Sequence, residues 1–261
     1  MANHKRVDQV LVERGLVNSL EEAKRFIMAG KVRHLGQVVM KASQKVNDEE
    51  EITLIQNSKY VSRGGEKLEA AFTQFPLIVS DRICADVGAS TGGFTDCLLI
   101  NGASRVYAVD VGYGILDWRL RNDPRVVVME RTNARFLAAL LEPVEFITAD
   151  VSFISLKKIL PVISGWFPIG GGEAVVLIKP QFEATREEAA EGVGVILDPE
   201  IHQRILTEIL SSACEGGYQV NGLIRSPLIG PEGNTEFLTW LSFPGEQGSK
   251  EPIQTYISSL F

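Results

Sequence analysis

Apolar positions near the start of the chain recur at helical spacing. Val7, Val10, Leu11 and Leu16 mark one face of a short helix that Gly15 can end. Asn18 or Ser19 can cap a second helix, with Glu21 and Glu22 in its first turn. That helix turns Ala23, Phe26 and Ile27 inward and stops at Gly30. Residues 31–34 and 38–40 then read as short strands about a turn at Gly36 and Gln37. An acidic turn over 47–51 and a last strand at 52–55 complete the unit, and the polar run 56–59 reads as a linker. The chain is therefore expected to divide into residues 1–58 and 59–261.

Beyond Tyr60 the pattern changes. Apolar runs at 82–87, 105–109, 125–130, 145–149 and 173–178 read as buried strands, separated by helical stretches such as 91–101. This alternation predicts an α/β unit with a mostly parallel sheet covered on both faces. Residues 223–226 and 235–243 read as two late strands around a Gly-Pro turn. The acidic, glycine-containing stretch 184–194 is expected to be a mobile loop.

Composition narrows the classes. A chain of 261 residues with 45% hydrophobic and 23% charged residues is a packed protein of one or two domains, not a disordered one. No apolar run approaches the roughly 18 residues of a membrane span. No apolar stretch follows the charged N-terminus, so no signal peptide is expected. Cys84, Cys97 and Cys214 lack paired spacing, which predicts neither disulfides nor a zinc site and suits a reduced, cytoplasmic compartment. His4, His34 and His202 share no spacing, so no metal is expected.

Charge is unevenly spread. Residues 5–45 hold nine lysines and arginines against four acids, a surplus of about five in a chain of net charge −7, which leaves the remainder at about −12. A small basic module on an acidic body suits binding to a polyanion. The alternative reading of the same charges is a solvated helix face.

The strongest local signal is Asp86-Val87-Gly88-Ala89-Ser90-Thr91-Gly92-Gly93-Phe94, which follows an apolar strand and opens a helix. Small residues there let backbone approach a ligand at the C-terminal end of a strand. The spacing is not the dinucleotide fingerprint, and the lysine of a phosphate loop is missing. Asp110 ends the next strand, where an acid can bind ribose hydroxyls. S-adenosylmethionine, an adenosine cofactor without a pyrophosphate, fits better than NAD. Gly88 and Gly92 are expected to make room for its methionine part. Asp150 and Lys179 follow two further strands, Lys67 lies early in the helix after Arg63-Gly64-Gly65, and Glu236 opens a late strand. Two lysines and two carboxylates in one crevice can activate and hold a hydroxyl.

Beyond these local readings, Arg6-Val7-Asp8, Leu11, Gly15, Ser19, Ala23, Ile27, Gly30-Lys31-Val32 and Gly36 resemble an S4 RNA-binding domain. The body resembles the FtsJ-like (RrmJ-type) methyltransferases. The pair in this order is similar to the TlyA family, often labelled hemolysin A. Ser62-Arg63-Gly64-Gly65-Glu66-Lys67-Leu68, residues 88–95, 107–117, 130–135, 150–156 and 178–182, and Gly230-Pro231-Glu232-Gly233-Asn234-Thr235-Glu236 carry the resemblance.

The resemblance implies a Rossmann-like, class I S-adenosylmethionine-dependent methyltransferase behind a small α+β S4 domain. It implies 2′-O-methylation of cytidine in 16S or 23S ribosomal RNA. It assigns a catalytic tetrad to Lys67, Asp150, Lys179 and Glu236. It assigns cofactor contacts to Asp86, Gly88, Ser90, Gly92, Gly93, Phe94 and Asp110. Contacts to ribosomal RNA or ribosomal subunits are expected from Arg6, Lys24, Arg25, Lys31, Arg33 and Arg63. Two other functions compete: a membrane-active hemolysin, and an S4-type ribosome-binding factor without catalysis. The absence of an apolar span opposes the first, and the intact tetrad and glycine loop oppose the second.

Overall fold

Side chains of the body's strands alternate between two buried layers. In one strand Ala85 and Val87 face one core while Cys84 faces the other, and in the next Tyr107 and Val109 oppose Val106 and Ala108. A sheet buried on both faces is what parallel strands need. The computed structural model describes residues 4–28, 30–47, 49–54, 59–230, 232–245 and 252–261. The chain forms two compact units, residues 1–58 and 59–261.

In the first unit β1 (His4–Arg6) leads into α1 (Val7–Glu13) and α2 (Leu20–Met28). Four more strands follow: β2 (Val32–His34), β3 (Gln37–Val38), β4 (Lys45–Asn47) and β5 (Ile52–Leu54). β2 lies antiparallel between β3 and β5, and β1 pairs with β4. Val7, Val10, Leu11, Ala23, Ile27, Val32, Val46 and Ile52 make the core. The Ser19 hydroxyl accepts the Glu22 N–H at 3.2 Å, and the Glu22 carboxylate accepts the Asn18 N–H at 2.7 Å. Ser19 is thus the cap, and Asn18 is held by the same exchange. β1 and β4 were not expected, because three residues are too few to show an alternation. The expected linker residues 56–58, the end of the last strand at Ile55, and Asp48 in the acidic turn lie outside the described residues.

The second unit opens with α3 (Gly64–Gln74), β6 (Ile83–Val87), α4 (Gly93–Ile100), β7 (Arg105–Val109), α5 (Trp118–Arg121) and β8 (Val126–Met129). It continues with β9 (Phe146–Ala149), α6 (Leu160–Ile163), β10 (Gly172–Ile178), α7 (Pro180–Glu183), α8 (Arg186–Glu191) and α9 (Pro199–Glu215). β11 (Gln219–Arg225), β12 (Phe237–Phe243) and α10 (Ile253–Ser258) complete it. The sheet order is β11-β12-β10-β9-β6-β7-β8. β6 to β10 run parallel, and β12 runs antiparallel between β10 and β11. From β6 the chain builds outward to β7 and β8, then crosses to β9 and β10 on the other side. The order therefore reverses at β6, and a crevice opens at the strands' C-terminal ends.

The stretch expected to be a mobile loop contains α8. Thr185 and Glu188 form a capping box at its start, and Arg204 from α9 holds the Glu188 carboxylate at 2.6 and 2.8 Å. The run of charges hid this helix, because a cap and one distant arginine, not an apolar face, stabilise it. The late strands are also displaced from expectation. β11 begins at Gln219, and Glu236 stands just before β12. Pro231, half of the expected Gly-Pro turn, lies outside the described residues.

Candidate active site

Strand register brings the candidate residues to one edge. Val87 is level with Val109 in β7 and with Ala149 in β9. The residues that follow, Gly88, Asp110 and Asp150, therefore leave the sheet side by side. Ile178 of β10 is level with Phe237 of the antiparallel β12, so Lys179 after the one lies across from Glu236 before the other. Lys67 arrives on the first turn of α3. That helix approaches α4 closely because both begin with glycine: a Cβ on Gly93 would sit 2.3 Å from the Ser62 hydroxyl and 3.0 Å from the Gly64 Cα.

Two lysine–carboxylate pairs result. The Lys67 ammonium donates to the Glu236 carboxylate, and both side chains are buried. The Lys179 Nζ lies 2.5 Å from the Asp150 Oδ1 and donates to the Ser152 hydroxyl at 3.0 Å. Lys67 and Asp150 line one cavity with Ser62, Arg63, Gly64, Gly88, Ser90, Gly93 and Phe94. Its volume is about 400 Å³, within the ~300–1,000 Å³ usual for small-molecule sites. A wider cleft, of about 870 Å³, lies elsewhere, among Arg82, Glu145, Glu173 and Trp240 at the opposite edge of the sheet, where none of these candidates stands.

The cofactor candidates do not all reach the cavity. Gly88, Ser90, Gly93 and Phe94 line the cavity as expected. Asp110 borders a smaller adjoining pocket with Ala89, Ser90, Gly112, Ile115 and Glu130. Its two carboxylate oxygens accept the N–H groups of Ser90 at 2.8 Å and Gly112 at 2.7 Å, so it also ties the glycine loop to the loop after β7.

Asp86 does not meet the expectation. It is 0% exposed, beneath the loop, and accepts the Thr95 N–H at 2.9 Å, the Thr95 hydroxyl at 2.7 Å and the Thr148 hydroxyl at 2.9 Å. Burial pushes its carboxyl up to about 6, against the lowering effect of those three donors. It holds β6, β9 and α4 together and does not reach the cavity.

The expected role of Gly88 and Gly92 also changes. Both have left-handed backbone, with φ of 80° and 97°. A Cβ on Gly92 would sit 2.2 Å from Leu120 and 2.9 Å from Leu116, and one on Gly88 would sit 2.5 Å from the Asp150 carbonyl. Both glycines are required by the protein's own packing. A valine at Gly92 therefore disrupts the fold around α5 and does not report on a ligand collision.

Several residues of the site went unread in the sequence. Ser152 bonds the lysine amine. Phe153 is 90% exposed with a left-handed φ of 61°, and its ring lies 4.9 Å from that of Phe182. A bulky residue held in that conformation beside Asp150 is strained, which points to a use. Arg131 lies over the Tyr113 ring at 4.1 Å and Arg135 over Phe136 at 5.3 Å. No periodicity marks these loops; an aromatic just past a strand end was the only available signal.

Among the nucleic-acid candidates, Lys24, Arg25 and Arg33 are exposed and Lys31 half-buried. Arg33 donates to the Gly36 carbonyl at 3.0 Å. Arg6 is less available than expected, because its guanidinium grips the buried Asp8 carboxylate at 2.7 and 3.0 Å. That contact holds Asp8 below the usual carboxylate range. Arg63 is exposed at the cavity's rim. Among the described residues no group of histidines, cysteines and acids is arranged to hold a metal, and no helix is long and apolar enough to cross a membrane.

Comparison with known proteins agrees with this architecture. Residues 5–52 match the S4 domain model and residues 60–243 the FtsJ-like methyltransferase model. YqxC of Bacillus subtilis, named as a candidate rRNA methyltransferase, is 49% identical over 92% of this chain and 86% of its own length. The 16S/23S rRNA (cytidine-2′-O)-methyltransferase TlyA of Mycobacterium tuberculosis is 46% identical over 92% of this chain and 91% of its own. A solved Streptococcus thermophilus structure that carries a hemolysin name superposes with a TM-score of 0.73 at 40% identity, over 99% of this chain and 96% of that one. With two lysine–carboxylate pairs at the switch point of a class I sheet, and an S4 unit ahead of it, this chain belongs to the FtsJ-like methyltransferase family.

Proposed function

We propose that the protein transfers a methyl group from S-adenosylmethionine to the 2′-hydroxyl of a cytidine in ribosomal RNA. The observation that carries the reading is that Lys67 and Asp150 line the cavity walled by the glycine loop, and that each is paired behind it, Lys67 with Glu236 and Asp150 with Lys179. The named activity of the 46% identical relative supplies the cytidine and the RNA class.

The residues present suit the cofactor. The loop at 88–94 offers backbone at the cavity wall, and Asp110 stands one strand away, where a ribose would lie. Bound there, S-adenosylmethionine supplies an electrophilic methyl group and leaves as S-adenosylhomocysteine. Lys179 stands as the base that takes the proton of the 2′-hydroxyl. Asp150 and Ser152 fix the direction of that amine. Lys67, set by Glu236, holds the hydroxyl oxygen in line. Most of the acceleration comes from bringing two substrates into one geometry.

Exposed Phe153, beside Asp150, offers a stacking surface for a base turned out of its helix. The S4 unit recruits the RNA through Lys24, Arg25, Lys31 and Arg33. Arg63 adds a cation at the cavity, and Arg131 and Arg135 add two more in the segment after β8; none of the three has an ion-pair partner among the described residues. The test is mass-spectrometric mapping of ribose methylation on rRNA incubated with the protein. One new 2′-O-methylcytidine with wild type and none with Lys179→Ala is expected. An unmodified cytidine in the presence of bound S-adenosylmethionine would refute the reading.

A further inference from the structure

Asn234 is wholly buried, two residues before Glu236. Its side-chain oxygen accepts the Ile196 N–H at 2.9 Å, and its side-chain nitrogen donates to the Gly194 carbonyl at 2.9 Å. Its backbone carbonyl accepts the Gly230 N–H at 2.8 Å. One amide therefore joins the turn at 194–196 to the segment entering β12. The same turn is gripped from α9, where the buried His202 Nε2 donates to the Ile196 carbonyl at 2.9 Å. The His202 ring meets the edge of Phe237, next to Glu236, at 5.5 Å. Gly230 presses on the carboxylate itself: a Cβ there would lie 2.9 Å from the Glu236 Oε1. Glu236 stands just before β12, where its backbone carbonyl still accepts the Ser226 N–H at 2.8 Å, and its carboxylate is packed against Gly230 within this cluster.

We infer that Asn234 is a positioning residue: by clamping the turn at 194–196 it holds the Glu236 carboxylate against Lys67. The inference rests on the catalytic reading of Glu236 above. A carboxylate displaced by about 1 Å costs roughly 10²-fold in rate. A buried amide whose partners are left unpaired has ample reason to shift the turn.

The test is single-turnover methylation by N234A, E236Q and the double variant, at saturating RNA and cofactor. N234A is expected to be about 10²-fold slower, with its S-adenosylmethionine affinity unchanged by calorimetry. The double variant is expected to be no slower than E236Q, because nothing is left to position. Losses that multiply, or a wild-type rate for N234A, would overturn the inference. Hydrogen exchange reads the clamp separately. The Ile196 and Gly230 amides should lose protection in N234A while those of β6 keep theirs. If E236Q alone is as fast as wild type, the catalytic reading of Glu236 fails. Exchange then decides the clamp, and retained protection at Ile196 and Gly230 sinks it. If N234A does not fold, N234D replaces it in every arm, because aspartate keeps the acceptor for Ile196 and loses the donor to Gly194.

Discussion

In the N-terminal unit Lys24, Arg25 and Lys31 have no acid partner among the described residues. In the larger unit Arg82, Arg105, Arg119, Arg121, Arg125 and Arg204 each pair with an aspartate or glutamate. The contrast is one of degree, since Lys5 and Arg6 of the small unit also face acids. An arginine already facing a carboxylate gives a phosphate little net attraction, because the phosphate must displace an acid that stays nearby. Among the described residues the larger unit's arginines without an ion-pair partner are 63, 131, 135, 186 and 225, of which Arg63 lines the cavity, and its Lys67 and Lys179 face acids. On the proposed function, the difference assigns long-range attraction of RNA to a few side chains in the small unit. The larger unit's excess of acid restricts where RNA can settle.

The comparison is tested most severely at a half-buried lysine of the site. Lys179→Ala is expected to lower single-turnover methylation by roughly 10²–10⁴-fold, the usual worth of a general base. RNA affinity should stay within about twofold, since surface cations carry recruitment. A large loss of RNA affinity in that variant would mean that the site's own cations recruit.

Next come the unpaired cations. Replacing Lys24, Arg25 and Lys31 together by glutamine should weaken rRNA binding and flatten its dependence on salt by a slope of roughly one per lost phosphate contact. Cofactor affinity should not move. An unchanged salt slope in a binding titration would remove the small unit from recruitment.

Asp86 sharpens the contrast from the other side, as a buried carboxylate with hydroxyl and N–H partners but no cation. Its carboxyl is pushed up to about 6 from an ordinary value of 3.8. The folded chain therefore holds this proton more tightly than the unfolded chain. The stability it contributes is full below pH 4 and is lost as pH rises through 6, by on the order of 3 kcal/mol. Asp86→Asn has no such proton to lose. Denaturant melts from pH 4 to 7 should show the variant gaining on wild type as pH rises. A constant difference across that window would contradict the assignment.

The smallest effect is expected where a cation is already matched. Arg125→Gln removes an exposed pair with Asp123, at 2.8 Å, and such pairs contribute about 0–1 kcal/mol. Thermal stability and RNA affinity should both stay near wild type. A loss of RNA affinity equal to that of a small-unit cation would erase the distinction between the two units.

Much of the site was legible because its signals are local. The glycine loop declares itself in nine consecutive residues. The strand ends carrying Asp110, Asp150 and Lys179 follow from apolar runs that stop at a charge. The helix of Lys67 follows from a glycine turn. The errors have local causes too. Asp86 looks like a ligand-facing acid because nothing in its neighbourhood reveals that Thr148, 62 residues away, will cover it. Gly92 looks like room for a ligand because Leu120 is not yet beside it. The stretch at 184–194 looks like a loop because its helix depends on Arg204.

The sequence by itself determined the longer helices and the buried strands of the sheet, that a basic module precedes an acidic α/β body, and which four side chains are chemically suited to act on a hydroxyl. These follow from periodicity, capping and residue chemistry, which act over a few neighbours. Only the tertiary structure decided that Lys67 and Glu236, 169 residues apart, share a proton donor and acceptor. It also decided that Asp86 is withdrawn beneath the loop and that Asn234 grips a turn nearly forty residues earlier. Strand order and register set those meetings, and both depend on how the whole sheet buries its two faces at once.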